Sequence, residues 1–349
     1  MGFFDDNAKT RIFLNPVALD YSFIPKLIPY RENQQHYIAI CIKPLFQERN
    51  GRNLFIHGKP GIGKTVATIH VLNELEEKSD ITSIYINCWK KNTAHKIVLE
   101  ICDRVEYKFT LNKPTDELLE IITGILNKGS CVICLDECDK LESYDVIYYL
   151  LENIYKKTII LITNEEFWLS KLDSRIKSRL NPELIEFKPY NYEETLGILN
   201  QRSEYAFHAN TVDKESLELI AKKTFELKDL RIGIYLLKES GEIAEFKNKN
   251  KIESEDVNEA IKKLDDFKVK GDDELDNNLN EILEIIKLND GKDSKELFDI
   301  YGKDSYKTFK RRLNELEKNN LISIKEVNFG ANGRKMIINY GSLKRLNEF

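Results

Sequence analysis

Residues Gly58-Lys59-Pro60-Gly61-Ile62-Gly63-Lys64-Thr65 fit the pattern G-x-x-x-x-G-K-T. A loop of this kind works largely through its backbone. Its glycines let the chain curl closely around phosphate oxygens, and its N–H groups converge on them at a helix N-terminus. Lys64 is spaced to reach the β- and γ-phosphates, and Thr65 to set its hydroxyl on Mg²⁺. A second chemical element is Cys131-Val132-Ile133-Cys134-Leu135-Asp136-Glu137, an apolar run that ends in two carboxylates. Asp136 suits the orientation of Mg²⁺ or its waters, and Glu137 the positioning and polarising of an attacking water. A third run, Thr158–Asn164, ends in an amide, which makes Asn164 the candidate sensor of a γ-phosphate. Two basic sites can add charge neutralisation: the segment Asp173-Ser174-Arg175-Ile176-Lys177-Ser178-Arg179, and Arg231 in Lys228-Asp229-Leu230-Arg231. Phosphoryl transfer gains from an arginine at the γ-phosphate, often one supplied by a neighbouring molecule. The chain is expected to bind ATP or GTP.

These residues need a scaffold that brings them to one edge. Asn53–His57 is an apolar strand pattern before the loop, and Val66, Ile69, Leu72 and Leu75 carry helical spacing after it. Strand-like runs at Leu54–His57, Ser83–Asn87, Cys131–Leu135, Thr158–Thr163 and Leu184–Phe187 alternate with helical patterns. Their hydrophobicity is continuous rather than alternating, which predicts a parallel sheet covered by helices. From Tyr192 to about Leu264 only helical patterns remain, such as Leu217, Ile220, Ala221 and Thr224. Asp265–Asn278 is polar and acidic around Gly271 and reads as a linker or hinge. The expected division is an α/β nucleotide-binding base over 1–190, a helical lid over 191–265, a linker over 266–278 and a small domain over 279–349.

The small domain predicts three helices, Leu279–Leu288, Ser294–Tyr301 and Asp304–Asn319, the last burying Tyr306, Phe309, Leu313 and Leu316. Two strand patterns, Leu321–Phe329 and Lys335–Tyr340, flank Gly330-Ala331-Asn332-Gly333, whose Asn-Gly step signals a hairpin. Three helices and a hairpin make the plan of a winged helix-turn-helix, in which the third helix enters a DNA major groove. From Lys303 to Phe349 there are eleven Lys/Arg against five Asp/Glu, a net of +6. Lys307, Lys310, Arg311 and Lys318 fall on one side of the third helix, Arg312 on its flank, and Arg334 and Lys335 at the hairpin tip. Such a face can neutralise phosphates even though the whole chain has a net charge of −5. A solvated helix face, or a module that docks on protein, carries the same pattern.

No apolar stretch is long enough to span a bilayer. The start Met1-Gly2-Phe3-Phe4-Asp5-Asp6 lacks the basic residues and apolar run of a signal peptide, so a cytoplasmic protein is expected. Cysteines stand at 41, 88, 102, 131, 134 and 138. Cys131 and Cys134 are three apart in a strand, on opposite faces, which defeats a chelate and predicts buried thiols.

Taken in order, Gly58–Thr65, Leu135-Asp136-Glu137, Thr163-Asn164, Ser178-Arg179 and Asp229-Leu230-Arg231 resemble the motifs of an AAA+ ATPase. More narrowly, the chain resembles the archaeal origin-recognition and cell-division-control type replication initiators over nearly its whole length. Pro25-Lys26-Leu27-Ile28-Pro29-Tyr30-Arg31-Glu32-Asn33-Gln34, Leu172–Arg179, Phe187-Lys188-Pro189-Tyr190 and Asp229–Glu245 carry that resemblance, followed by the winged helix. It implies an α/β fold, a P-loop AAA+ parallel sheet with a helical lid and a C-terminal winged-helix domain. It implies a slow ATPase switch, using ATP/ADP and Mg²⁺, that binds replication-origin DNA and helps recruit or load the replicative helicase. The implied partners are double-stranded origin DNA, that helicase and further copies of the chain on DNA.

By the same resemblance Tyr30 and Arg31 lie near the adenine, Tyr190 and Arg202 help close the lid, Arg179 is an arginine finger and Arg231 a second sensor. There are two departures. Tyr107–Leu119, where such initiators insert a DNA-contacting helical element, has no glycine, and Arg231 is followed by Ile232-Gly233. A signalling or defence ATPase, or a clamp-loader-like ATPase acting through protein partners, remains the alternative.

Overall fold

In a computed structural model, the backbone of residues 12–318, 322–328 and 334–340 is described, with all side chains there except 266–277, 280, 318, 325–328 and 334–335. From α1 (Glu32–Ile42) the chain enters β1 (Leu54–His57) and turns through the glycine loop into α2 (Lys64–Lys78). It continues through β2 (Thr82–Asn87), α3 (Ala94–Arg104), α4 (Thr115–Leu126), β3 (Cys131–Asp136), α5 (Asp145–Asn153) and β4 (Lys157–Thr163). Two short helices, α6 (Trp168–Lys171) and α7 (Ser174–Leu180), lead to β5 (Glu183–Glu186). Each strand lies within one residue of the expected run.

The strands pair in the order β2-β3-β4-β1-β5, all parallel. This order decides where the chemistry meets. His57 pairs with Thr163, and Asp136 with Ile162, so β1, β3 and β4 end level with one another. The glycine loop, Asp136-Glu137 and Asn164 therefore emerge at one carboxyl edge, where open α/β sheets bind their ligands.

Both faces of the sheet are covered. Phe55, Ile133, Leu135, Ile159 and Leu161 join a core with α3, α4 and α5, while Leu54, Ile56, Val132, Ile160 and Ile162 join another with α1 and α2. A strand buried on both faces needs apolar residues at every position, which is why the sequence runs are continuous. Cys131 belongs to the first core and Cys134 to the second, and all six cysteines are buried free thiols.

The lid consists of α8 (Tyr192–Ala206), α9 (Lys214–Leu227), α10 (Leu230–Phe246) and the first part of α11 (Ser254–Leu288). Asn191 starts α8 with a capping box, its side chain and that of Glu194 each satisfying the other's backbone N–H. The backbone of α11 is helical across 266–278, the stretch expected as a linker. That stretch has one glycine and no proline, and a single glycine costs a helix only about 1 kcal/mol relative to alanine. Acidity alone does not stop a helix.

By contacts the chain divides into two units, at Ala260 and Ile261. The second contains α12 (Ser294–Tyr301), α13 (Tyr306–Lys318) and the antiparallel pair β6 (Ile322–Asn328) and β7 (Arg334–Tyr340). Ile282, Ile286, Leu297, Phe309, Leu313, Leu316, Ile322 and Ile338 form its core, which is a winged helix. The turn Gly330-Ala331-Asn332-Gly333 and the N-terminal residues 1–11 lie outside the described residues. Among the described residues no helix is long and apolar enough to cross a membrane.

Arg312 departs from the sequence reading. Expected on the flank of a basic face, it is buried and donates to the Tyr301 hydroxyl at 2.7 Å and to Asp304. The helical spacing placed it at the border of the apolar stripe, and two polar partners, Tyr301 at the end of α12 and Asp304 in the connection to α13, draw it inward. Arg312→Ala leaves those partners without their donor and is expected to destabilise the C-terminal unit by about 1–3 kcal/mol, whereas Lys310→Ala changes its stability little. Thermal unfolding followed by circular dichroism distinguishes the two.

Candidate nucleotide-binding site

The phosphate loop has its carbonyls engaged within the protein, those of Gly58 and Lys59 by Lys64, that of Gly61 by the Leu230 N–H and that of Ile62 by Arg31. Gly61 and Gly63 have φ of +70° and +90°, conformations that favour glycine, and the buried Ile62 between them anchors the loop. α2 begins at Lys64 immediately afterwards, so its free N–H groups point to the same place.

Lys64 is buried, and its ammonium donates to the carbonyls of Gly58 at 2.8 Å and Lys59 at 2.7 Å, and to Asn164 Oδ1 at 2.8 Å. The sensor candidate and the loop lysine are therefore in direct contact. Burial pushes the Lys64 pKa down to about 8, against the pull of Asp136. Thr65 Oγ1 donates to Asp136 Oδ2 at 2.7 Å, and the Tyr85 hydroxyl donates to the same oxygen at 2.7 Å. A hydroxyl and a carboxylate in this arrangement fit Mg²⁺, a hard cation that takes one or two protein oxygens and keeps its waters.

Glu137 follows with φ of +54°, a left-handed conformation that strains a non-glycine residue. Its N–H donates to Asp136 Oδ1 at 2.9 Å. Burial raises the pKa of its carboxyl, and the charges of Asp136 and Asp139 add to the effect. A carboxylate with a raised pKa is better suited to take a proton from water. Asp139 accepts from Thr163 Oγ1 at 2.7 Å, which ties the turn after β3 to the end of β4, one residue before Asn164.

The cleft over these groups is lined at its phosphate end by Lys64, Thr65, Asp136, Glu137, Asn164 and Arg231, and at its other end by Phe23, Ile28, Pro29, Tyr190, Ile198 and Arg202. Arg202 is buried, donates to Ala18 O at 3.0 Å and stacks on Phe23, joining α8 to the segment before α1. Arg231 pairs with Asp229.

The remaining candidates are not among the lining residues. Tyr30 and Arg31 do not line the cleft. Tyr30 is partly exposed and stands against Gly197 of α8. Arg31 is buried, donates to Ile62 O at 3.1 Å and Lys188 O at 2.7 Å, and lies 3.7 Å from the Tyr190 ring centre. Its contacts fasten the phosphate loop to the segment after β5. Arg179 is on the exposed surface of α7, paired with Glu152 and over Tyr148, apart from the cleft. In the winged helix Lys307, Lys310 and Arg311 are exposed on α13, while the side chains of Lys318, Arg334 and Lys335 lie outside the described residues. Sequence reasoning missed Tyr85 and Asp139. A carboxylate two residues beyond Glu137 was the available signal for the second, and β2 gave none for the first.

Comparison with known proteins agrees with this geometry. Residues 47–168 match the model of an AAA domain, and residues 196–262 that of the Cdc6 AAA+ ATPase-type lid domain. An ORC1-type DNA replication protein 1 of Sulfolobus acidocaldarius is 32% identical over 93% of this chain and 89% of its own length. The chain belongs to the ORC1-type DNA replication protein family. The corresponding protein of Sulfurisphaera tokodaii is 30% identical over 95% of this chain and 91% of its own. The solved structure of the Aeropyrum pernix ORC1 protein in complex with DNA shares the fold, with a TM-score of 0.71 at 21% identity over 95% of this chain and 94% of that one. As a member of the ORC1-type family the chain is a replication-initiator ATPase of the AAA+ class.

Two outcomes follow for this ORC1-type site. The folded protein releases the Lys64 proton near pH 8 and the unfolded chain holds it to about 10.5, so this group adds stability as pH rises across that window. Phosphate binding needs the ammonium, so ATP affinity is expected to fall, by up to about tenfold per pH unit, above pH 8. Binding titrations from pH 7 to 9.5 check this, and a flat profile would show that Lys64 stays charged. Glu137→Gln is expected to keep nucleotide binding while reducing turnover by about 10²-fold or more. Phosphate release under single-turnover conditions measures it, and unchanged turnover removes Glu137 from the water-activating role.

Proposed function

We propose that this initiator binds double-stranded DNA at a replication origin through its winged helix, under the control of ATP, and helps to recruit or load the replicative helicase. The carrying observation is α13, where Lys307, Lys310 and Arg311 are exposed opposite the buried Phe309, Leu313 and Leu316. An amphipathic helix whose outer side is cationic, followed by a hairpin, suits a major groove with phosphates on either side. The Aeropyrum pernix ORC1 protein, which shares the fold, was solved with DNA.

Within the nucleotide site the roles follow from chemistry. Lys64 and the loop amides hold the β- and γ-phosphates, and Thr65 with Asp136 hold Mg²⁺, which supplies charge neutralisation and orientation when bound. Glu137 takes the proton of the attacking water, Asn164 holds that water near the γ-phosphate, and Arg231 contacts the γ-phosphate from the lid. Arg179, paired with Glu152 away from its own cleft, serves the nucleotide of a neighbouring copy on DNA.

Binding to a labelled origin duplex with ATP and Mg²⁺, followed as salt is raised, tests the proposal. Affinity is expected to fall linearly on a log–log plot. Lys310→Ala with Arg311→Ala is expected to weaken binding and make the slope shallower by about two. Absence of salt-dependent duplex binding would overturn the DNA reading and favour a switch that acts on protein partners.

A further inference from the structure

Asp229 holds two groups of Arg231 at the start of α10. Its Oδ1 caps the helix by accepting the Arg231 N–H at 2.9 Å. It takes the Arg231 guanidinium side-on, Nε to Oδ1 at 2.9 Å and Nη2 to Oδ2 at 2.5 Å. The same carboxylate stands over the phosphate loop, where a Cβ on Gly61 would come within 1.8 Å of Oδ1. Beside it, the Leu230 N–H donates to Gly61 O at 3.1 Å. The lid is thus docked on the phosphate loop at this corner, and it brings an anion to a loop built to bind anions.

Arg231 also lines the phosphate end of the cleft with Lys64, Glu137 and Asn164. Its guanidinium has a fixed fork of donors, and a carboxylate and a phosphate oxygen pair compete for the same edge of it. We infer that Asp229 is a specificity-determining residue that competes with the γ-phosphate for Arg231 and so sets how strongly the protein prefers ATP to ADP. The inference rests on the reading above that Arg231 contacts the γ-phosphate. ADP has no third phosphate, so it binds with Arg231 left on Asp229. ATP gains the Arg231 contact only by displacing the carboxylate, which returns part of that gain. The start of α10 then has two arrangements, Arg231 on Asp229 or Arg231 on phosphate, and a third phosphate shifts their balance.

The test uses the full chain and displacement of a fluorescent nucleotide by ADP and by a non-hydrolysable ATP analogue, with Mg²⁺. Asp229→Asn keeps an equally good helix cap and removes the charge, and Asp229→Ser carries the same measurement if Asn impairs folding. Asp229→Asn is expected to tighten binding of the ATP analogue by about three- to tenfold relative to ADP. In an Arg231→Ala background the same substitution is expected to leave the ratio unchanged, because the competed group is gone. Arg231→Ala alone is expected to lower the ratio. If Arg231→Ala lowers it but Asp229→Asn does not raise it, or tightens both nucleotides equally, Asp229 is a cap or a general repulsion and the inference is overturned. If Arg231→Ala leaves the ratio unchanged, the γ-phosphate role of Arg231 fails and the inference falls with it.

Discussion

The site depends on one buried cation. The Lys64 ammonium is hydrogen-bonded to two backbone carbonyls and to the Asn164 amide, and none of these acceptors carries a charge. It is solvated by the protein without being neutralised, which is costly for a buried ammonium and is why its pKa is depressed. The carboxylate that pulls on it most, Asp136, is already engaged by Thr65 and Tyr85. An anion that enters above the loop thus meets a positive charge whose surroundings favour its neutralisation. Loop glycines, helix start and the Asn164 amide are arranged around that charge.

Strand order makes the arrangement possible. β1 lies between β4 and β5, and the β1–β4 and β3–β4 registers bring three strand ends level. A shift of one residue in β3 would turn Asp136 away from Thr65, because adjacent residues of a strand point to opposite faces. Two covered faces lock the register, since each strand buries side chains on both sides. Catalytic geometry is here a by-product of core packing.

The sheet was legible because continuous apolar runs identify doubly covered parallel strands, and the phosphate loop because few other sequences place three glycines, a lysine and a threonine at that spacing. What sequence could not supply was adjacency across the fold. Arg31 reads as a cation beside a nucleotide; only the folded chain places it under Tyr190 with its donors on Ile62 and Lys188. Arg312 looked like a member of a basic face until Tyr301 and Asp304 stood next to it. The helix through 266–278 was missed because polar composition was read as flexibility, whereas a helix needs only intact backbone bonds and no breaker.

Arg31 and Asp229 both contact the phosphate loop, at Ile62 and Gly61, and the contrast between them bears on how nucleotide state can be transmitted. Arg31 is buried and bonded to the carbonyls of Ile62 and Lys188, so it braces the loop against the segment after β5. Asp229 and Arg231 form a partly exposed pair, which costs little to break. A loop braced in this way resists rearrangement. In the proposed mechanism the difference is carried by groups that can exchange partners, namely Arg231 on the lid, now on Asp229, and Asn164 after β4, now on Lys64. Both belong to elements that extend away from the phosphates, α10 into the lid and β4 through the sheet. If Arg231 and Asn164 meet the γ-phosphate as proposed, a braced loop with exchangeable partners would pass the presence of a third phosphate to the lid and the sheet without distorting the site that binds it.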